Sequence, residues 1–256
     1  MTEAGEGVHR RHSPLTLFLL GGIAILLIAA LTALGVWQLQ RRVWKLDLIA
    51  QIETRIHAPA VDAPGPAAWP SIDASRDAYR RVRAGGVMLG NQTTLVQAAT
   101  VLGGGYWVMT PLRTDAGFVV LVNRGFIPSE DKDRQSGAGG IPVRAEITGL
   151  LRISEPKGGF LRANDPAAGR WYSRDVAAIA GARGLAAVAP YFIDAEARPG
   201  AAGPVGGLTV VSLPNSHLVY ALTWFALAAM LAGGLAYAVR SERNNRNSTS
   251  PEGGGT

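Results

Sequence analysis

Two uninterrupted apolar runs, residues 15–36 and 218–239, frame a long middle stretch in which hydrophobic positions come in short alternating groups. Each run has 22 residues and no charged side chain. At about 1.5 Å of rise per residue, either one crosses a hydrocarbon core about 30 Å thick, so each predicts a transmembrane helix. The first exceeds the about 7–15 apolar residues of a signal peptide. It leads into WQLQRR with no clean cleavage site, which predicts an uncleaved anchor. Leu46, Ile49, Ile52 and Ile56 then recur at helical spacing as far as Pro59, so the helix is expected to continue beyond the span.

After the proline-rich connector VDAPGPAAWPSIDA the period changes. TTLVQA (93–98), YWVMTPL (106–112), FVVLVNRGFIP (118–128), VRAEITGLL (143–151), APYFIDA (189–195) and LTVVSL (208–213) read as strands between glycine-bearing breaks. VRAEITG alternates apolar with polar and predicts a half-buried strand, whereas FVVLV is apolar throughout and predicts a central one. A helix is expected over about 174–183, with Ser173 as its cap and Asp175 favouring its first turn. SEDKDRQSGAGG (129–140) reads as a mobile loop.

The predicted class is a membrane α+β protein: two transmembrane helices flanking a β-rich extramembrane domain, dominated by antiparallel strands and shaped as a small open barrel. The segments are a tail at 1–13, a span at 14–37, the α+β domain at 38–214, a span at 215–239 and a disordered tail at 240–256. Gly21-Gly22 and Gly233-Gly234 can pack the spans together, pack against a partner, or simply be tolerated in membrane helices.

Composition sharpens this picture. Only 17% of residues are charged while 48% are hydrophobic, and the net charge of +6 is carried by scattered arginines. That distribution points to a membrane surface and away from nucleic acid. The absence of cysteine excludes disulfides, CxxC redox chemistry, thiolate metal sites and covalent haem attachment. Arg10 and Arg11 precede the first span, and Arg240, Arg243 and Arg246 follow the second, which predicts both tails on the cytoplasmic side. Arg41, Arg42 and Lys45 lie on the opposite side and cut against the rule.

No nucleophile elbow, phosphate loop, HExxH or EF-hand pattern occurs, and the aspartates show no readable pairing, so the chain is expected not to be an enzyme. LGGGYW leads into a strand, which disfavours a phosphate cradle. Of four histidines, His9 and His12 lie in the basic tail and His57 closes a helix. His217 stands in the first turn of the second span, with Asn215 as the expected cap. Tyr220, Ala221 and Trp224 follow at i+3, i+4 and i+7 and share its face. Two readings are open. These are interfacial residues with polar tips at the headgroups, or the imidazole is a haem-iron ligand above aromatic rings. Trp37 and Arg41 likewise form either an ordinary interfacial collar or a clamp for porphyrin propionates.

LGVWQLQRRVWKLDLI (34–49), LVNRGFIP (121–128), PVGGLT (204–209) and NSHLVYALTWF (215–225), in this order between two spans, resemble the Surfeit locus protein 1 family of cytochrome c oxidase assembly factors. WYSRDV (171–176) and YFIDA (191–195) fit as well. The resemblance covers about residues 15–240. It implies an assembly factor for haem-copper oxidase that binds haem a transiently and helps insert it into subunit I. The alternative is a membrane-anchored scaffold that stabilises subunit I without carrying haem. The implied partners are subunit I, the haem a synthesis enzymes and the lipid bilayer. The expected location is a bacterial inner membrane, multi-pass, with the loop domain periplasmic.

The family's haem-linked histidine maps onto His217, the implied iron ligand, with Tyr220, Trp224, Trp37 and Arg41 as the remaining cofactor contacts. Gly35, Arg124 and Gly125 match further family positions, Gly125 in a backbone role, while Val36 stands where the family often has Thr. With four methionines and no cysteine, haem handling is favoured over copper delivery.

Overall fold

The computed structural model describes residues 14–133, 141–156, 158–159, 162–197, 203–208 and 215–247. Two compact units divide the chain: Met1–Leu48 with Leu213–Thr256, and Ile49–Ser212. Helix α1 (Pro14–His57) begins in the first unit and ends in the second, and α4 (His217–Asn247) belongs to the first. Both are long and apolar enough to cross a membrane. At the end of α1, His57 Nδ1 lies 2.9 Å from the Glu53 carbonyl.

The second unit is built on a mixed seven-stranded sheet. Its strands are β1 (Val61–Asp62), β2 (Arg81–Met88), β3 (Thr94–Thr100), β4 (Gly103–Thr114), β5 (Val119–Pro128), β6 (Val143–Ile153) and β7 (Val188–Ala195). The order is β1-β2-β6-β7-β5-β4-β3, and an additional β2–β4 pairing closes β2, β6, β7, β5 and β4 into a barrel. The open barrel expected from sequence is therefore closed. Two pairings, β1–β2 and β5–β7, are parallel and the rest antiparallel.

Closure depends on the segment the sequence pattern missed. In β2, Val82 and Ala84 alternate with Arg81 and Arg83, but Gly85-Gly86 interrupts the alternation and hides the strand. Gly86 pairs with Ala145 on one side and Thr114 on the other. A Cβ there would lie 2.1 Å from the Arg113 carbonyl oxygen, so only glycine lets the two strands approach.

The uniformly apolar run in β5 follows from burial on both faces. Val120 and Val122 join Val82, Leu112, Leu151, Tyr191 and Ile193 in one core cluster. Leu121 joins Val96, Met109, Trp171, Ile179 and Phe192 in the other, beneath α3 (Val176–Ala182). In β6 Ile147 and Leu151 are buried while Arg144 and Glu146 are exposed, as the alternation predicted, but Val143, expected on the buried side, is 60% exposed at the start of the strand. The cap of α3 is Asp175, which accepts from the Ala178 N–H at 3.1 Å, and not Ser173. Ser173 Oγ instead accepts from Gly158 N–H and Asn164 Nδ2, each at 3.0 Å. Residues 129–131, expected in a loop, form a 3-10 turn, and a short helix α2 covers Ala74–Asp77. The expected strand at 208–213 lies, apart from Leu208, outside the described residues, as do 134–140 and the tails bearing His9 and His12.

Candidate functional site

The first unit brings α1 and α4 together along a seam with a heptad-like rhythm. On α1, Ala24, Ile28, Leu31, Gly35 and Gln38 are buried or half-buried at this rhythm. On α4, His217, Ala221, Trp224, Phe225, Ala228, Leu231 and Leu235 are buried or half-buried. Spacings of three and four keep one face of each helix toward the other. Ala221 is only 1% exposed. At Gly35 a Cβ would stand 2.6 Å from Phe225 Cε1, so the missing side chain makes room for that ring. Gly21, Gly22, Gly233 and Gly234 have nothing within 4 Å of an added Cβ, so these pairs do not pack the spans together.

His217 opens α4 on this seam. Asn215, the expected cap, has a buried Oδ1 without a hydrogen-bond partner. The cap position falls instead to Ser216, whose carbonyl accepts from the Tyr220 N–H at 3.3 Å. His217 Nδ1 lies 2.8 Å from Gln38 Oε1, across the helix pair. A carboxamide oxygen only accepts, so Nδ1 donates, and in the neutral imidazole the lone pair is then on Nε2. Among the described residues of this unit His217 is the only histidine, and no cluster of three metal-ligating residues occurs in the described chain.

The five residues expected around haem divide. His217 and Trp224 are half-buried on the seam, whereas Tyr220 and Trp37 are 56% and 53% exposed. Arg41 stacks on Trp44, its guanidinium carbon 4.1 Å from the ring centroid. Cation–π stacking uses the guanidinium face and leaves its in-plane N–H groups available to carboxylates. This donor set fits a haem: one imidazole nitrogen with a lone pair, apolar and aromatic surface beside it, and a cation. Gln38 was missed. Its signal was weak: a polar residue three positions after Gly35, on the same helix face.

The motifs of the sheet unit meet at another place. β5 carries a bulge, because Trp107 and Met109 of β4 pair with Phe126 and Asn123, three residues apart. Gly125 in that bulge has φ +129°, and Val205 and Gly206 lie against it. There Phe126 and Val205 exchange two backbone hydrogen bonds, of 2.9 and 2.8 Å. Arg124 is exposed beside the glycine. Buried Asp194 accepts from Asn123 Nδ2 at 2.8 Å, Arg152 at 2.9 Å and Arg174 at 3.2 Å. Arg174 also grips Glu155 at 2.5 Å. Burial works against the Arg174 cation, but the Glu155 hydrogen bond and the Asp194 charge outweigh it and hold its pKa above the usual value. The aspartates that looked unpaired in sequence are therefore structural: Asp77 pairs with Arg80, Asp165 with Arg170, and Asp175 caps α3.

Residues 25–229 match the SURF1 family over four-fifths of the chain. The chain belongs to the SURF1 family. The matched segment includes most of the helix seam, from Ile28 to Gln38 and from His217 to Ala228, and the whole sheet unit. Human Surfeit locus protein 1 is 36% identical over 228 residues, covering 80% of this chain and 73% of the human one. The mouse protein is 34% identical over 80% and 71%. A SURF1-like protein of Monosiga brevicollis is 33% identical over 82% of this chain and 85% of its own. The motif resemblance and the family match thus agree. In this SURF1-family chain four separated motifs converge in the sheet unit: LVNRGFIP meets PVGGLT at the bulge, and WYSRDV meets YFIDA at the Arg174–Asp194 pair.

Proposed function

We propose that this SURF1-family chain is an assembly factor of haem-copper cytochrome c oxidase that binds haem a as cargo through His217 and assists its insertion into subunit I. Family membership supports the assembly role. The observation that carries the haem reading is the interhelical bond of His217 Nδ1 to Gln38, which commits one ring nitrogen and leaves Nε2 for a metal. The iron supplies a Lewis-acidic centre for one imidazole. Tyr220, Trp224 and Trp37 offer aromatic surface to the macrocycle, and Arg41 offers N–H groups to the propionates. No bond of the cargo is broken, so the chain is a carrier and not an enzyme. Subunit I and the haem a synthesis enzymes are its partners. Arg240, Arg243 and Arg246, in the C-terminal turns of α4, favour cytoplasmic termini, with the sheet unit on the periplasmic face of a bacterial inner membrane.

The test is co-expression with the haem a synthesis enzymes, purification in detergent and visible spectroscopy. The wild type is expected to carry a haem spectrum and His217→Ala to lose most of it. Full occupancy in His217→Ala removes the ligand assignment. If oxidase maturation also survives that substitution, the scaffold role without haem is the better reading.

A further inference from the structure

Gln38 faces His217 from the opposite helix at 2.8 Å, a polar contact set in a largely apolar seam. A buried or half-buried carboxamide in such a place costs desolvation unless it is paired, and here its oxygen is paired with the ring nitrogen. We infer that Gln38 is a positioning residue for His217: it fixes the imidazole as the Nδ1–H tautomer with Nε2 as the ligating atom, and because it is neutral it does so without making the ring a strongly basic ligand. The inference rests on the haem reading of His217, but its first half concerns the protein alone.

The chemistry of metal-bound histidine explains the second half. A ligating imidazole usually donates its other N–H to a carboxylate, a carbonyl or water, and a carboxylate partner raises ligand basicity. Helix α1 supplies an amide oxygen at this place. An amide holds orientation while adding no charge, which suits a site that must give its cargo up. The bond joins α1 to α4, so the geometry of the ligand depends on the pairing of the two helices. Gly35, one turn earlier on the same face of α1, sets that pairing through Phe225.

The experiment uses the full chain in detergent. Nitrogen-15 NMR of the cargo-free wild type is expected to show the Nδ1–H tautomer at His217, and Gln38→Leu is expected to release it toward Nε2–H. Gln38→Glu retains an acceptor and is expected to keep Nδ1–H, which guards against a leucine variant that merely misfolds. In haem titration Gln38→Leu is expected to weaken binding about 10–100-fold. Gln38→Glu is expected to tighten it and to slow transfer to apomyoglobin as acceptor. An Nε2–H wild type, or a tautomer unchanged in Gln38→Leu, overturns the positioning role and leaves the haem reading standing. Haem retained in full by His217→Ala overturns the haem reading, and with it any role of Gln38 toward the iron. Gln38→Glu that transfers haem as fast as the wild type overturns the claim that neutrality matters.

Discussion

Gly125 carries two constraints at once. Its φ of +129° is a conformation that side chains with a Cβ rarely adopt, and a Cβ would lie 2.4 Å from the Val205 carbonyl oxygen. Strain of this kind costs about 1–3 kcal/mol, and here the neighbour is backbone and cannot swing away. Gly125→Ala is therefore expected to lower the unfolding free energy of the sheet unit by at least that amount, read by denaturant titration of the full chain. A stability loss below about 0.5 kcal/mol would remove this account of the bulge. Tyr191 makes a different prediction. Its buried hydroxyl donates to the Pro64 carbonyl at 2.7 Å, and burial pushes the phenol pKa up. The folded state thus holds this proton more tightly than the unfolded one. The contribution is complete below the unfolded value near pH 10 and is lost as pH rises beyond it. Tyr191→Phe is expected to cost about 0.5–1.5 kcal/mol at neutral pH and to flatten the fall in stability above pH 10. An alkaline slope unchanged by the substitution would assign that fall to other groups.

At the scale of elements, legibility followed burial. Five strands, β3 to β7, were readable because their side chains alternate or because β5 is covered on both faces. β2 was not, since its Gly85-Gly86 pair exists to let β4 come close, a demand made by a strand distant in sequence. The two caps failed for a related reason: Ser173 and Asn215 have the right chemistry, but tertiary partners claim the first, and the second sits one residue too early. In the helix pair, neither doublet of glycines is the contact; the single Gly35 is. This contrast is measurable. Gly35→Val inserts atoms where Phe225 lies and is expected to destabilise the helix pair by about 1–3 kcal/mol. Gly22→Val enters open space and is expected to change stability by less than about 0.5 kcal/mol. Phe225→Leu should recover part of the Gly35→Val loss, since the shorter side chain vacates the ring's position. Equal costs at Gly35 and Gly22 would show that backbone propensity, not packing, governs both sites.

For the whole molecule, the property that charge and topology set between them is direction across the bilayer. An even number of spans puts both ends on one side, and the charge count favours the cytoplasm for them, yet Arg41, Arg42 and Lys45 pull the other way. The positive-inside bias is weak where a long domain is translocated, and the sheet unit is long enough for that weakness to apply if it crosses. Arg41 is in addition held against Trp44, a pairing that gives this basic group a local reason to be where it is. The chain has no cysteine, so single cysteines report position without background. Asn91→Cys, exposed in the sheet unit, and Ser241→Cys, exposed near the end of α4, are the two probes. In intact bacterial cells opened only at the outer membrane, a membrane-impermeant maleimide is expected to label Asn91→Cys and to spare Ser241→Cys. Both should react once the inner membrane is broken. The reverse pattern would show that the cluster of Arg41, Arg42 and Lys45 sets the orientation. Labelling of both before the inner membrane is broken would show that α4 does not cross it. Under the proposed haem role, that orientation decides on which face the cargo would be met, because His217 lies at the start of α4, at the end nearer the sheet unit in sequence.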